Sequence, residues 1–136
     1  MYAAETELAR TLRDVHVTVF PNRAESGTNL FATQALAAGV PSVLSDNTGH
    51  GDLLALRTPL TWAVPSYPNA LDPAGWGESR VDEVVAALAE VYAAYQQGKV
   101  DADAGESIAE AVHRVFTWQA CYENITSATE ARGDGC

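Results

Sequence analysis

The chain has 136 residues, 47% hydrophobic and 19% charged, the balance of one soluble globular domain that can bury a core without covalent staples. Eight basic residues against 18 acidic ones leave a net charge of -10, which argues against nucleic acid and anionic membranes, where lysine and arginine must neutralise phosphates. Two cysteines, Cys121 and Cys136, make a poor disulfide framework and point to a reduced, cytoplasmic setting. The N-terminal residues lack the pattern of a signal peptide, and no apolar run is long enough to span a bilayer.

In chain order, Glu5 to Arg13 is a short helix, with Leu8 and Leu12 one turn apart on one face. His16 to Phe20 is a β-branched, mostly apolar run, the pattern of a strand covered on both faces, and Pro21-Asn22-Arg23 stops it. Thr28 to Ala38 is a helix that Gly39 is placed to end in the left-handed conformation. Val40 to Ser45 is a second buried strand, with Pro41 tolerated near its start. Asp46 to Gly51 is a polar loop, followed by one or two helical turns over Asp52 to Leu56, and Leu60 to Val64 is a third short strand.

Pro65 to Gly77 holds three prolines and reads as one long irregular surface loop. Ser79 is expected to cap the strongest helix, with Asp82 three residues on as in a capping box. Val81, Val84, Val85, Leu88, Val91, Tyr92 and Tyr95 form its apolar stripe. Glu106 to Val115 is a further helix with Ile108, Val112 and Val115 on one face, and Thr117 is expected to cap a last helix through Trp118, Cys121 and Ile125. The Asn124-Ile125-Thr126 glycosylation sequon reads as chance in a chain without a secretion signal.

Strands alternating with helices predict an α/β fold with a parallel sheet. About three strands make half of a doubly wound, Rossmann-like sheet, so the expectation is a piece of something larger. Residues 1–132 are read as a partial domain and 133–136 as a disordered tail.

The chemistry concentrates in the loop after the first strand. Glu25 lies in a turn of small residues beside Gly27, Thr28 and Asn29, where free amides at a helix start favour an anion and Gly27 allows close approach. Phosphate repels a carboxylate, so the partner that suits Glu25 is a polyol, and the combination suggests a sugar held beside a phosphate. A plainer reading makes Thr28 or Asn29 an N-cap and Glu25 a solvated loop charge. His50, in Thr48-Gly49-His50-Gly51-Asp52, lies after the second strand on the same sheet edge, where a loop histidine is either structural or chemical. Asp52 fits the acidic first turn of a short helix.

Other chemistries find no support. No His/Cys cluster has zinc spacing, Ser26 and Ser45 lack a hydrolase elbow, and Gly39 carries no dinucleotide fingerprint. Trp76 reads as an aromatic anchoring its loop to the core, with ligand stacking as the alternative, while Phe116 and Trp118 read as packing residues.

Ala24-Glu25-Ser26-Gly27-Thr28-Asn29-Leu30, Gln34-Ala-Leu-Ala-Ala-Gly39-Val-Pro41 and Ser45-Asp-Asn-Thr-Gly-His50 together resemble the C-terminal domain of retaining GT-B glycosyltransferases of the family-4, or group 1, type. The run Glu7 to Val15 looks like the helix before that family's motif strand, and Phe116-Thr117-Trp118 is similar to its Phe-Ser-Trp element. The resemblance implies the second half of a GT-B C-terminal domain, binding a nucleoside-diphosphate sugar as donor substrate for retaining, hexosyltransferase-type transfer, with no metal cofactor. Glu25 would then be the catalytic glutamate that contacts the donor sugar, and Gly27, Thr28, Asn29 and Leu30 the turn that holds the diphosphate. Gln34 would stand at the ribose and His50 among the donor-binding residues.

Two departures stand out. Gln34 replaces a second glutamate, and Glu25 and Gln34 enclose one residue more than the usual spacing. The acceptor-binding N-terminal domain has no counterpart here and is expected to be missing or on another chain, so the chain alone is expected to be inactive. The competing expectation is a non-catalytic α/β module that self-associates as a homo-oligomer, or pairs with a partner, through an exposed sheet edge.

Overall fold

The computed structural model describes residues 5–68, 76–123 and 126, with the side chains of residues 5 and 6 left aside. The helix α1 (Glu5–Arg13) leads into the strand β1 (Thr18–Phe20), followed by α2 (Leu30–Ala37), β2 (Ser42–Asp46), α3 (His50–Leu54) and β3 (Thr61–Pro65). The three strands form one parallel sheet in the order β1-β2-β3, with Thr18 opposite Ser42 and Val43 opposite Trp62. This is the α/β architecture expected from the alternation of elements, a partial Rossmann-like sheet with flanking helices.

Side chains alternate across a strand, so the middle strand feeds two cores. Leu44 points into the larger, where Ala32 and Leu36 of α2, Leu53 of α3, and Leu60 are all buried. Ile108 and Val112 of α5 (Ala102–Val115) complete it, and Phe20 and Phe116 pack at its margin. Val43 points to the opposite face, joined there by Val64 and by Ala87 and Val91 of α4 (Val81–Gln96). Helices α2, α3 and α5 therefore contribute to one core and α4 to the core on the opposite face.

Alanine and glycine set the helix contacts. Ala32 and Ala35 on the buried side of α2 let it lie close, and Gly39, at φ +76°, turns the chain from α2 towards β2. A side chain at Gly39 would also stand 3.1 Å from the Gly105 Cα of α5, so the two backbones cross closely and Gly39 is the position that needs a glycine.

Several expectations are corrected. The first strand is shorter than predicted and is not covered on both faces: His16 is exposed and Val19 sits at an open edge. The segment after β3 is not wholly irregular, because β4 (Tyr67–Pro68) pairs antiparallel with β5 (Gly77–Glu78); residues 69–75 between them lie outside the described set. Arg80, not Ser79, occupies the N-cap of α4, and the Ser79 hydroxyl makes no capping bond. Helix α5 starts at Ala102, earlier than predicted, because Asp101 caps it by accepting a hydrogen bond from the Ala104 amide at 2.9 Å.

Thr117 does cap the final helical stretch, accepting from the Ala120 amide, but Trp118 is 91% exposed and is no packing residue. Trp76 is half exposed. Cys121 is exposed, while Ile125, Asn124, Cys136 and the proposed tail 133–136 lie outside the described residues.

The stripe of α4 splits in two. Val84, Leu88, Val91 and Tyr95 pack on the sheet, but Val81, Val85 and Tyr92 remain exposed. Glu90, Ala93 and Ala94 line a cleft with Pro59 and Trp62, on the β3 side of the helix. Helical spacing places Val81, Val85 and Tyr92 on the other flank, towards the open edge of β1. At that edge the Thr18 amide donates to the Pro41 carbonyl, so the Val19 peptide groups point outwards.

Candidate functional site

Parallel strands end on the same edge of a sheet, so the loops after β1 and β2 lie side by side. The second loop holds the first in place along its length. The Asn47 carboxamide donates to the Asn22 carbonyl at 2.7 Å and reaches the Arg23 carbonyl at 3.2 Å. The Glu25 amide donates to the Thr48 hydroxyl at 2.7 Å, and the Gly49 amide to the Glu25 carbonyl at 3.3 Å. Gly49 then passes against the backbone of Gly27, with no room for a side chain between them.

Ser45, at the end of β2, adds a hydrogen bond from its hydroxyl to the Asn22 carbonyl at 2.8 Å. On the far side of the loop, the Gly77 amide donates to the Arg23 carbonyl, and the Arg23 guanidinium pairs with Glu78 at 3.1 Å. The small second sheet is thereby tied to the same loop. It also meets the start of α4: Arg80 lies over the Tyr67 ring, and the Tyr67 hydroxyl donates to Glu83. That bond to Glu83 raises the Tyr67 pKa above its ordinary value.

Glu25 is half-buried, and one carboxylate oxygen accepts from the Asn22 carboxamide at 3.0 Å. The remaining lone pairs of the carboxylate suit hydroxyl donors. Gly27 is exposed and Thr28 partly so. Asn29 is the N-cap of α2, and its Oδ1 accepts from the Ala32 amide at 3.1 Å. The amides of Leu30 and Phe31 come earlier in the helix than any intrahelical acceptor, and both side chains are largely exposed, so this helix end faces solvent. It offers partial positive charge beside a carboxylate, a pairing that suits a phosphorylated sugar.

Glu25, Gly27 and Thr28 lie on the loop, Asn29 is the N-cap of α2 and Leu30 is its first residue. Gln34 stands more than a helical turn beyond Asn29, exposed on a cleft of about 330 Å³ with Leu8, Leu12, Ala37 and His113. His50 is fully buried beneath the loop, with both ring nitrogens in hydrogen bonds to Asn29 and Ser45. In this arrangement it has no surface to offer a ligand. Asp52 does occupy the acidic first turn of α3.

Sequence reasoning did not single out Asn47, Thr48 and Gly49 as the supports of the Glu25 loop. The available signal was a run of short hydrogen-bonding residues and a glycine directly after a strand, on the edge already expected to carry the site. No helix among the described residues is long and apolar enough to cross a membrane.

In comparisons with known proteins, a family model described as "Family 4 Glycosyltransferase in conflict systems" matches residues 2–125. Neither the curated proteins nor the solved structures give a match.

Proposed function

Since the chain belongs to the family 4 glycosyltransferases of conflict systems, we propose that it binds a nucleoside-diphosphate sugar at the loop from Glu25 to Leu30. In this reading the Glu25 carboxylate accepts hydrogen bonds from sugar hydroxyls, and the amides of the Gly27–Leu30 turn and the start of α2 hold the diphosphate. Gln34 serves the ribose as a neutral hydrogen-bonding group. The observation that carries the reading is the placement of Glu25 beside an open helix start, on a loop fixed by its neighbour.

The chemistry served is glycosyl transfer with retention. It requires an acceptor held against the donor, so the chain is expected to need an acceptor-binding partner domain for turnover. Calorimetric titration with UDP-glucose, UDP-N-acetylglucosamine and GDP-mannose tests the donor assignment. One of them should bind, and Glu25→Ala should weaken that binding about tenfold or more, as expected when a charge-assisted hydrogen bond is lost. Binding by the wild type that Glu25→Ala leaves unchanged would remove Glu25 from the site. A folded chain that binds none of the three would defeat the assignment.

A second reading is favoured by the uncharged surface formed by Val19 at the β1 edge and Val81, Val85 and Tyr92 on α4. An open strand edge beside apolar side chains is a template for pairing. In this reading the chain is an association module, and sedimentation velocity should show a concentration-dependent dimer that Val85→Lys converts to monomer. A monomer at all concentrations removes self-association.

A further inference from the structure

His50 is the largest polar side chain in the fully buried set, and its surroundings fix the state of its ring. Nδ1 lies 3.0 Å from the Ser45 carbonyl, which can only accept, so Nδ1 carries the hydrogen. The Ser45 hydroxyl, also 3.1 Å from Nδ1, spends its own hydrogen on the Asn22 carbonyl and is free to accept. Nε2 is therefore an acceptor, and the Asn29 carboxamide nitrogen stands 3.1 Å from it as donor. This orients Asn29 with its oxygen towards the Ala32 amide, where the N-cap bond is found. Every assignment along this relay agrees with its neighbours.

The relay has a consequence for the open helix end. The Asn29 side chain is short and polar, and a free one could swing towards the first amides of α2 or towards an anion approaching them. Held by His50, it is nine-tenths buried and caps the third amide of the helix, so those of Leu30 and Phe31 stay available. We infer that His50 is the positioning residue of this site: through Nε2 it turns the Asn29 carboxamide inward and keeps the first two amides of α2 open to the donor diphosphate. This inference rests on the donor-site reading above. It gives His50 a role through Asn29 in place of direct contact with the nucleotide sugar.

Two substitutions separate the halves of the imidazole. His50→Gln can place an acceptor near the Nε2 position, whereas His50→Asn keeps a donor near Nδ1 and loses the reach to Asn29. Asn29→Ser keeps an N-cap but removes the group that His50 holds, and it carries the argument if His50→Asn does not fold. With the nucleotide sugar that the wild type binds, His50→Gln should stay within about threefold of wild type, and His50→Asn and Asn29→Ser should each weaken binding about tenfold. A purely structural His50 would lower the melting temperature in the Gln and Asn variants alike and leave the affinity of the folded chain unchanged, which would overturn the inference.

An NMR measurement decides the contact without any donor. Long-range imidazole nitrogen–proton correlations should show the Nδ1–H tautomer in the wild type. Exchange of the Asn29 carboxamide protons should be slow in the wild type and His50→Gln and fast in His50→Asn. Slow exchange in His50→Asn overturns the positioning role. If this pattern holds while none of the three nucleotide sugars, nor inorganic pyrophosphate, binds the wild type, the donor reading fails and the hold of His50 on Asn29 stands.

Discussion

Gly49→Ala should cost about 3 kcal/mol of stability and displace the Glu25 loop, at the upper end of what overpacking a closed site does. The backbone at Gly49 is αR, at φ -65° and ψ -16°, so alanine has no conformational objection to it. The obstacle is contact alone. The added Cβ would lie 1.7 Å from the Gly27 carbonyl oxygen, 2.6 Å from its carbon and 3.2 Å from the Glu25 carbonyl oxygen. All three are backbone atoms, so no rotamer change relieves the overlap. One of the two loops must move, and the bonds from the Glu25 amide to Thr48 and from Asn29 to His50 are strained with it. Urea denaturation reads the stability and titration with the nucleotide sugar reads the loop. A variant with the wild-type midpoint and affinity would show that the two loops are not locked together.

Leu44→Ala is the counterpart in the core and should cost about 2–5 kcal/mol. Leu44 has no exposed surface, lies in the middle strand and meets side chains from α2, α3 and α5. Its neighbours come from separate elements, each held by its own contacts, so the space left behind cannot readily collapse. In a domain whose total stability is of order 5–15 kcal/mol, such a loss removes a large share of what holds the chain folded. The midpoint of urea unfolding should fall with an unchanged slope, and a shift worth less than about 1 kcal/mol would mean that the larger core does not carry the fold.

The parts of this architecture legible in the sequence were those with strong local patterns. The β-branched runs around Val19 and Val43 gave the strands, and Ala-Leu-rich residues ending at Gly39 gave α2. Their alternation gave a parallel sheet. What stayed illegible depended on distant partners. Ser79 looked like a helix cap by spacing, yet the chain enters α4 one residue later because Gly77 and Glu78 are paired with Tyr67 and Pro68. The expected start of α5 at Glu106 falls just after Gly105, a poor helix former, yet the helix begins at Ala102 and carries Gly105 inside it. The α4 stripe was visible as apolar, but sequence cannot say that only one side of it meets the sheet.

The candidate site divides in the same way. Glu25, Gly27 and Asn29 could be picked out by composition at the start of a helix. The surroundings of His50 could not, because Asn29, the partner of Nε2, lies 21 positions away and reaches it only in the folded chain. Asn47 and Thr48 have no chemical signature of their own, and their role exists only when the two loops are adjacent.

The separation between the two loops also governs when the site comes into being. The bonds that residues 45–50 make to residues 22–29 reach 21 to 25 positions along the chain. While the polypeptide is being made, the Glu25 loop is complete well before its template is, and it stays shapeless until β2 has docked beside β1. Once formed, it is held by several bonds to the neighbouring loop that must break together for it to open. On the proposed donor-site reading, a ligand arriving at such a loop would find its shape already made and lose little entropy in ordering it.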